Sequence, residues 1–311
     1  MIGAIWMAVV YYGFLLTMLI DIARLLDRAI PFLPSVLKQQ PHWAGLAAIL
    51  LVGGVLAYGF WNARHPVINR YDIHIEKSGG HFKQVHAVVV SDIHLGNLIG
   101  ANRLEQLVTT VNRLQPDVVL LPGDIIDAEL KPFLDENMGP VLQRLQPPLG
   151  TYAVLGNHEY IGGETEGIIA ALQEAGVTIL RDDKAIIAGS LVIAGRDDRS
   201  RLNYGGSARS PLSAILAGVN PALPLILLDH QPLDLDESRQ NRVDLQFSGH
   251  THRGQLFPNQ LITAAMFETD WGYLRQETFQ LIVSCGYGTW GPPFRIGNRP
   301  ELLDVYITFG H

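Results

Sequence analysis

The stretch VHAVVVSDIHLG, residues 85–96, is a largely apolar run that ends in Asp92 and His94 within a polar turn. Apolar runs without regular polar alternation are typical of strands buried on both faces of a sheet. Residues that follow such a strand lie at the carboxyl edge of the sheet, where layered α/β folds bind their ligands. Asp is also an ordinary turn residue, so one Asp-x-His pair decides little. The interpretation of this stretch depends on how the other strands end.

Four further apolar runs stop at the same kinds of residue. The residues at their ends are Asp124, Asp127, Asn157, His158, Glu159, Asp229, His230, His250 and His252. Each of them alone would be ordinary loop chemistry. Five strand ends that all deliver Asp, Asn or His are hard to explain as solvent-exposed turns, and together they predict a metal site at one edge of the fold.

The types of ligand limit the metal and the chemistry. Carboxylate, imidazole and amide oxygen without thiolate favour divalent Mn, Fe, Zn or Co and argue against a cysteine-type structural zinc site. The single cysteine, Cys285, excludes an intrachain disulfide and is interpreted as a small buried side chain. The residues at the five strand ends offer too many ligands for one ion, and they suit two ions that share one carboxylate. Two such ions can activate a bridging water for in-line displacement at phosphorus.

The five blocks together, from about residue 85 to residue 255, resemble the calcineurin-like metallophosphoesterase superfamily. The resemblance implies an α/β (α+β layered) sandwich of two β-sheets flanked by helices, and hydrolysis of phosphoesters by a metal-bridging hydroxide. By matching position, the implied metal ligands are Asp92, His94 and His252 for one ion, Asn157, His230 and His250 for the other, and Asp124 bridging both. His158 is implied to assist the phosphate and the leaving group without binding metal. Asp127 and Glu159 are candidates for orienting ligand histidines, with a plain surface role as the alternative.

Four shorter motifs narrow the resemblance to one branch. The segments GNHEYIGG, AGRDD, GHTHRGQ and GYGTWGPPFRIGNRPEL are similar to the membrane-anchored YkuE/YaeI-like phosphodiesterases. Near relatives of that branch include transmembrane metallophosphoesterases and a UDP-diacylglucosamine hydrolase of lipid A synthesis. The last segment is rich in Gly and Pro and is predicted to be a loop. Its Arg295 and Arg299 are candidate phosphate contacts, as are, more weakly, Arg253 and Arg196; surface arginines are the alternative.

Two long segments near the start of the chain carry no charged side chain, residues 1–20 and residues 43–61. Each is close to the length of about 20 residues that spans a bilayer as a helix. We expect two transmembrane helices in a membrane anchor of residues 1–61, followed by a catalytic domain of residues 62–311. The first segment lacks the basic start of a cleaved signal peptide, which is the alternative for it. The alternatives for the second are a buried core helix and a re-entrant or interfacial hairpin.

The basic residues beside the two segments do not determine the orientation in the membrane, whereas the net charge limits the kind of partner. The connecting segment carries Arg24, Arg28 and Lys38, and the stretch after the second helix carries Arg64, Arg70 and Lys77. This balance leaves the side of the membrane undetermined in an integral protein of the cell or inner membrane. The net charge of −7 argues against broad nucleic-acid binding. The sequence indicates no protein partner.

Helical patterns separate the strands of the catalytic domain. The first has an apolar stripe of Leu104, Leu107, Val108, Val111 and Leu114, stopped by Pro116. Further helices are expected within residues 136–148 and 163–176, and two or three strands in hairpin order within residues 178–198. Strands that alternate with helices and then give way to a strand-rich half predict a layered α/β or α+β domain.

The function that we expect is hydrolysis of a phosphoester or diphosphate at a membrane surface. A phospholipid or lipid-linked diphosphate is the substrate class that the anchor favours, although an anchor could also localise an enzyme for soluble esters. A membrane-tethered nuclease is a second hypothesis, and the acidic balance counts against it. A catalytically silent metal-binding scaffold is the third, and the intact His158 counts against that.

Overall fold

A computed structural model describes residues 2–35, 38 and 40–310, and within them twelve strands form two six-stranded sheets. The first sheet has the order β1-β12-β2-β3-β4-β5, with β1 (Val67–Ser78), β2 (Gln84–Val89), β3 (Val118–Pro122), β4 (Thr151–Val154), β5 (Val177–Ile179) and β12 (Glu301–Gly310). The second has the order β10-β11-β9-β8-β7-β6, with β6 (Asp183–Ile187), β7 (Leu191–Gly195), β8 (Leu225–Leu228), β9 (Leu245–Ser248), β10 (Gly272–Gln276) and β11 (Phe279–Val283).

The central strands of both sheets are parallel. In the first sheet β2, β3, β4 and β5 run in one direction, and in the second β7, β8, β9 and β11 do. Their carboxyl ends therefore meet at one edge of each sheet, which is where parallel sheets bind ligands. The predicted sandwich of two sheets flanked by helices is confirmed.

Strand β3 shows why the central strands are apolar throughout. Val118 and Leu120 pack in the core between the two sheets, whereas Val119 and Leu121 pack against the helices on the outer face. Successive strand side chains point to opposite faces, so a strand covered on both faces needs apolar residues at every position.

The helices after residue 62 flank the sheets. They are α3 (Ala101–Leu114), α4 (Lys131–Asp135), α5 (Gly139–Leu142), α6 (His158–Ile161), α7 (Thr165–Glu174), α8 (Leu212–Ile215), α9 (Leu235–Gln240) and α10 (Gln260–Met266). The apolar stripe of α3 is buried as predicted, and the helix ends at Leu114. The helix expected within residues 136–148 is wrong in extent, because only the four residues of α5 are helical. Pro140 lacks the N–H that a helix begun earlier would need.

The segment 178–198 also differs from expectation. Strands β6 and β7 form the predicted antiparallel hairpin. Strand β5, however, pairs with β4 in the first sheet, because α7 returns the chain to that sheet as a parallel crossover. The chain therefore passes from one sheet to the other between Ile179 and Asp183.

Two long apolar helices precede the sandwich, α1 (Ile2–Ala29) and α2 (Pro41–Asn62). Helix α1 is longer than the predicted segment because it continues through the charged residues 21–28. Both are long and apolar enough to cross a membrane, and large side chains such as Phe14 and Ile49 are exposed on them. This exposure does not fit the alternative of a buried core helix.

Candidate active site

The first group at the carboxyl edge consists of three buried side chains, Asp92, His94 and His252. Asp92 and His94 follow β2, and His252 follows β9. The Nε2 atoms of the two histidines lie 3.0 Å apart. The same nitrogen of His252 lies 3.3 Å from Asp92 Oδ1. Three donor atoms from two sheets therefore point at one small volume.

The second group consists of Asn157, His230 and His250, which follow β4, β8 and β9. Asn157 Oδ1 lies 2.9 Å from His250 Nδ1 and 3.3 Å from His230 Nε2. Asp124, at the end of β3, lies between the groups, with Oδ2 3.2 Å from His230 Nε2 and 3.8 Å from His94 Nε2. The structure thus brings together the seven residues that the resemblance implied as ligands, with Asp124 between the two groups; their binding of metal stays a prediction.

These distances fit metal coordination. Two donor atoms about 2.1 Å from one ion, at about 90–110° to each other, are separated by about 3.0–3.4 Å. The separations of 3.0 and 3.3 Å in the first group and 2.9 and 3.3 Å in the second are of this size. Two imidazole nitrogens that face each other, such as those of His94 and His252, also need a cation or a proton between their lone pairs. The residues present therefore fit a pair of divalent ions.

The backbone at the site is unusual. Left-handed φ angles of 46–70° occur at Asp92, His94, Asp124, His250, His252 and Arg253. Non-glycine residues seldom adopt this region, and such strain collects at functional sites. In an extended strand, residues two apart such as His250 and His252 would point to the same side. The left-handed turn here separates the two rings. It directs His250 toward Asn157 and His252 toward Asp92.

Two glycines permit the close approach of these loops. A Cβ on Gly156 would lie 2.1 Å from Asp124 Oδ1, and a Cβ on Gly249 would lie 2.1 Å from Asp92 Oδ2. Both distances are far below a non-bonded contact. The glycines of the GNH and GHTH motifs are thus needed because the carboxylates pack directly on the backbone.

Charge at the site favours cations. Burial alone would raise the pKa of the Asp92 and Asp124 carboxyls, but the neighbouring histidines outweigh it and keep both pKa values below the ordinary range. Burial also lowers the pKa of His252 to about 3, so this imidazole is neutral. For His230, Asp124 and Asp92 outweigh burial and raise the pKa well above its ordinary value. A proton on His230 thus balances charge where a metal ion would otherwise do so.

Glu159 is buried beneath Asp124 and orients the backbone of its loop. Its carboxylate accepts hydrogen bonds from the N–H groups of Asp124, Ile125, Ile126 and Gly156, at 2.6–3.1 Å. Burial and the charge of Asp124 raise the pKa of Glu159 to about 7. The prediction that it orients a ligand histidine is corrected: it holds the Asp124 loop against the loop after β4. The surface alternative is excluded because Glu159 is fully buried.

His158 and Asp127 form a pair at the edge of the site. His158 Nδ1 lies 2.8 Å from Asp127 Oδ1, and the same oxygen lies 3.4 Å from His94 Nδ1. Burial would lower the pKa of His158, but Asp127 and Asp124 outweigh it and raise that pKa. Asp127 thus contacts two histidines, the geometry expected of a residue that orients them. With Nδ1 engaged, Nε2 is the ring nitrogen of His158 left for a ligand.

The four candidate arginines do not line the cleft over the site. Arg295 is fully buried behind His252, and its guanidinium donates to the carbonyls of Gly288 and His252. Arg253 stacks on the Trp271 ring, with Cζ 4.0 Å from the ring centre. The other two also have protein partners: Arg196 pairs with Glu237 and Asp229, and Arg299 donates to the carbonyl of His65. All four arginines therefore contact other residues of the protein, and their contact with phosphate stays a prediction.

A cleft of about 600 Å³ lies over the two groups. The residues that line it beyond the site itself are mostly apolar and include Ile161, Ile262, Met266, Phe267 and Trp290. None of the five was predicted to line the site. Ile161 and Trp290 lie in motifs noted for their other residues, and α10, which holds Ile262 and Met266, carries no chemical motif. The cleft therefore combines a cluster of metal-ligand residues with an apolar wall.

The second long helix is joined to the site through Arg295. The backbone N–H of Arg295 donates to the carbonyl of Gly59 at 3.0 Å, and Asn62 Nδ2 donates to the carbonyls of Arg295 and Asn298. On the other side, Asn298 Nδ2 donates to the carbonyl of His252 at 2.8 Å. The end of α2 is therefore two hydrogen-bonded steps from a predicted ligand.

Comparison with known proteins agrees with this geometry. The family model for calcineurin-like phosphoesterases matches residues 85–254. A transmembrane protein with a metallophosphoesterase domain from Danio rerio is 31% identical and aligns over 97% of this chain and 71% of its own length. An uncharacterized metallophosphoesterase from Aquifex aeolicus is 36% identical, over 77% of this chain and 91% of its own. Fold and site thus define a metal-dependent hydrolase of phosphoesters, and the chain belongs to the calcineurin-like phosphoesterase family.

More distant relatives extend the comparison. The uncharacterized metallophosphoesterase YkuE of Bacillus subtilis is 28% identical, over 86% of this chain and 96% of its own. Among solved structures, a dimetal phosphatase from Danio rerio aligns with a TM-score of 0.45 at 14% identity, over 72% of this chain and 98% of that one. The family assignment rests on the sequence matches. Calcineurin-like phosphoesterases use two divalent ions. The donor atoms at this edge form three overlapping groups that could hold metal: Asp92, His94 and His252; His94, Asp127 and His158; and Asp124, His230 and His250.

Proposed function

We propose that this chain is a dinuclear phosphoesterase held in a membrane by α1 and α2, with residues 1–61 as the anchor and residues 62–311 as the catalytic domain. The proposed ligands are Asp92, His94 and His252 for one ion, Asn157, His230 and His250 for the other, and Asp124 for both. The observation that carries the proposal is the position of the Asp124 carboxylate between two groups of converging donor atoms.

Different residues of the chain have different roles in the proposed reaction. When bound, two divalent ions supply an activated water and neutralise charge on the phosphate. Asp127 orients the His158 ring through Nδ1 and favours its protonated form. His158 can then donate a proton from Nε2 to the leaving oxygen, which is general acid catalysis. Glu159 and the two loop glycines keep the carboxylates in place.

The substrate that we propose is a membrane-borne phosphoester, such as a phospholipid or a lipid-linked diphosphate. Two observations support it: the pair of long exposed apolar helices, and the apolar wall of the cleft beside the ligand groups. Relatives that are named transmembrane proteins also favour an anchored enzyme. A nuclease is disfavoured by the net charge of −7.

One assay tests the proposal against its alternatives. The full-length chain is purified in detergent with Mn²⁺ and offered bis-p-nitrophenyl phosphate, p-nitrophenyl phosphate, phospholipids and single-stranded DNA. We expect turnover of small and lipid esters and none of DNA. Preferential cleavage of DNA would support the nuclease. Bound metal without turnover of any phosphoester would support a silent scaffold and reject the enzyme.

A further inference from the structure

An apolar ridge borders the mouth of the cleft. It consists of Phe257 and three residues of α10, Leu261, Ile262 and Met266, and each of these four side chains is more than half exposed. Ile262 and Met266 also line the cleft, so the ridge runs from the outer surface into the site. Exposed apolar patches of this kind, bordering a binding site, indicate an interaction surface.

The contacts of α1 fix what this ridge faces. Tyr11 donates a hydrogen bond to Asn259 Oδ1 at 2.7 Å, and Tyr12 donates one to the carbonyl of Phe257 at 2.8 Å. Ala8 packs in one cluster with Leu256 and with residues of the 294–296 segment. The start of α10 is therefore docked on α1 at residues 8–12.

The length of α1 then sets the depth of the ridge. Its uncharged part, residues 2–20, rises about 29 Å, which only just equals a hydrocarbon core of about 30 Å. The whole of this part is needed for a crossing, since Asp21 and Arg24 follow it. Tyr12 lies about 15 Å along α1 from Ile2. Residues that pack on Tyr11 and Tyr12 are consequently at the level of the bilayer, not above it.

We propose that the ridge of Phe257, Leu261, Ile262 and Met266 is inserted in the bilayer beside α1 and α2, and that the cleft opens toward the lipid. The occupant of this surface is the acyl region of the membrane, and the substrate is an amphiphile whose apolar chain lies along the ridge while its phosphoester reaches the metal groups. The inference rests on the proposed anchoring and hydrolysis. Large apolar side chains exposed on a helix can be buried at the boundary between headgroups and acyl chains.

The experiment measures the depth of single labels. Cys285 is buried, and burial raises the pKa of its thiol well above the ordinary value, so introduced cysteines can be labelled selectively. Leu261→Cys reports on the ridge. Ile49→Cys, on the exposed face of α2, reports on the anchor, and Leu134→Cys, an exposed leucine of α4, is the matched control; the three native side chains are 70%, 71% and 58% exposed. Each full-length variant carries bimane in nanodiscs of phosphatidylcholine, with or without bromine on the acyl chains.

The result that we expect is strong quenching by brominated chains at positions 261 and 49 and little at 134. Quenching at 49 but not at 261 would overturn the inserted ridge and leave the anchor intact; a second copy of the chain or another protein would then cover the surface. No quenching at 49 would overturn the anchor and the ridge together. Quenching at 261 does not depend on turnover, so it separates this inference from the proposed hydrolysis.

Two esters that differ only in the length of the apolar chain test whether the substrate is an amphiphile. Methyl p-nitrophenyl phosphate and hexadecyl p-nitrophenyl phosphate share the scissile group and differ only in the apolar chain. In nanodiscs with Mn²⁺, we expect kcat/KM to be at least tenfold higher for the hexadecyl ester. Equal values would overturn the lipid route, and hydrolysis of neither ester would instead reject the proposed function.

Discussion

At the residue scale, His158 differs from its neighbours because its Nδ1 is held by Asp127 while the ring lines the cleft. We expect His158→Ala to retain both metal ions and to lower kcat for bis-p-nitrophenyl phosphate by about 10²–10⁴, the usual contribution of a general acid. Metal content by elemental analysis and steady-state kinetics measure the two effects. His81→Ala, an exposed histidine, is the control. A metal site emptied by His158→Ala would show that the role is misassigned.

Glu159 makes a second prediction at this scale. In Glu159→Gln an amide NH₂ replaces one carboxylate oxygen and faces backbone N–H groups that it cannot accept from. We expect the free energy of unfolding of the metal-free domain to fall by about 1–3 kcal/mol, the cost of unsatisfied buried donors. Thermal unfolding in detergent measures it, with Glu166→Gln, whose side chain is largely exposed, as the control. Equal midpoints for the two variants would contradict the role given to Glu159.

The sequence predicted the residues that could bind metal, but it did not predict the residues that hold them in place. The seven candidate ligands could be predicted because metal-binding types recur at five strand ends. Arg295 could not be assigned, because an arginine that binds carbonyls of its own chain looks in sequence like one that binds phosphate. The burial of Glu159 was likewise hidden, since four backbone N–H partners leave no pattern in the side chains.

At the element scale, helix α2 is packed against the segment that supports His252. A Cβ at Gly59 would lie 2.6 Å from Ile296 Cγ1, whereas one at Gly53 of the same helix would have no atom of the described residues within 4 Å. We expect Gly59→Leu to cost about 1–3 kcal/mol of stability through overpacking, and to weaken Mn²⁺ binding severalfold because Arg295 shifts with Ile296. Gly53→Leu should do neither. Thermal midpoints and Mn²⁺ titrations compare the pair, and equal behaviour would contradict the coupling of α2 to the site.

Long helices and strands could be predicted from the periodicity of the sequence. The 14-residue α3 was predictable from its stripe, and the central strands from their continuous apolar runs. The short elements were not, since one turn of helix gives no period. Helix α10 and strand β5 take their places from tertiary contacts, α10 against α1 and β5 against β4.

In the whole molecule, both sheets contribute candidate ligands to one edge of the sandwich, and helices α1 and α2 lie beside that edge. Ligand groups come from strands of both sheets, so neither sheet alone could form the site. The sandwich of two sheets was implied by the family resemblance, whereas the order of strands and helices along the chain predicted only a layered α/β or α+β domain. The packing of the helical pair against the cleft could not be predicted, because no sequence period links residues 8–12 with residues 256–262. That packing places α1 beside the mouth of the cleft.

Two ions that share Asp124 can be counted by titrating the protein with Mn²⁺. Metal-free full-length chain in detergent is titrated while bound metal and hydrolysis of bis-p-nitrophenyl phosphate are measured together. We expect two equivalents of Mn²⁺ to bind, with turnover reaching its maximum at the second, and Asp124→Ala to bind less than one. Full activity with a single equivalent, or two equivalents retained by Asp124→Ala, would contradict the account.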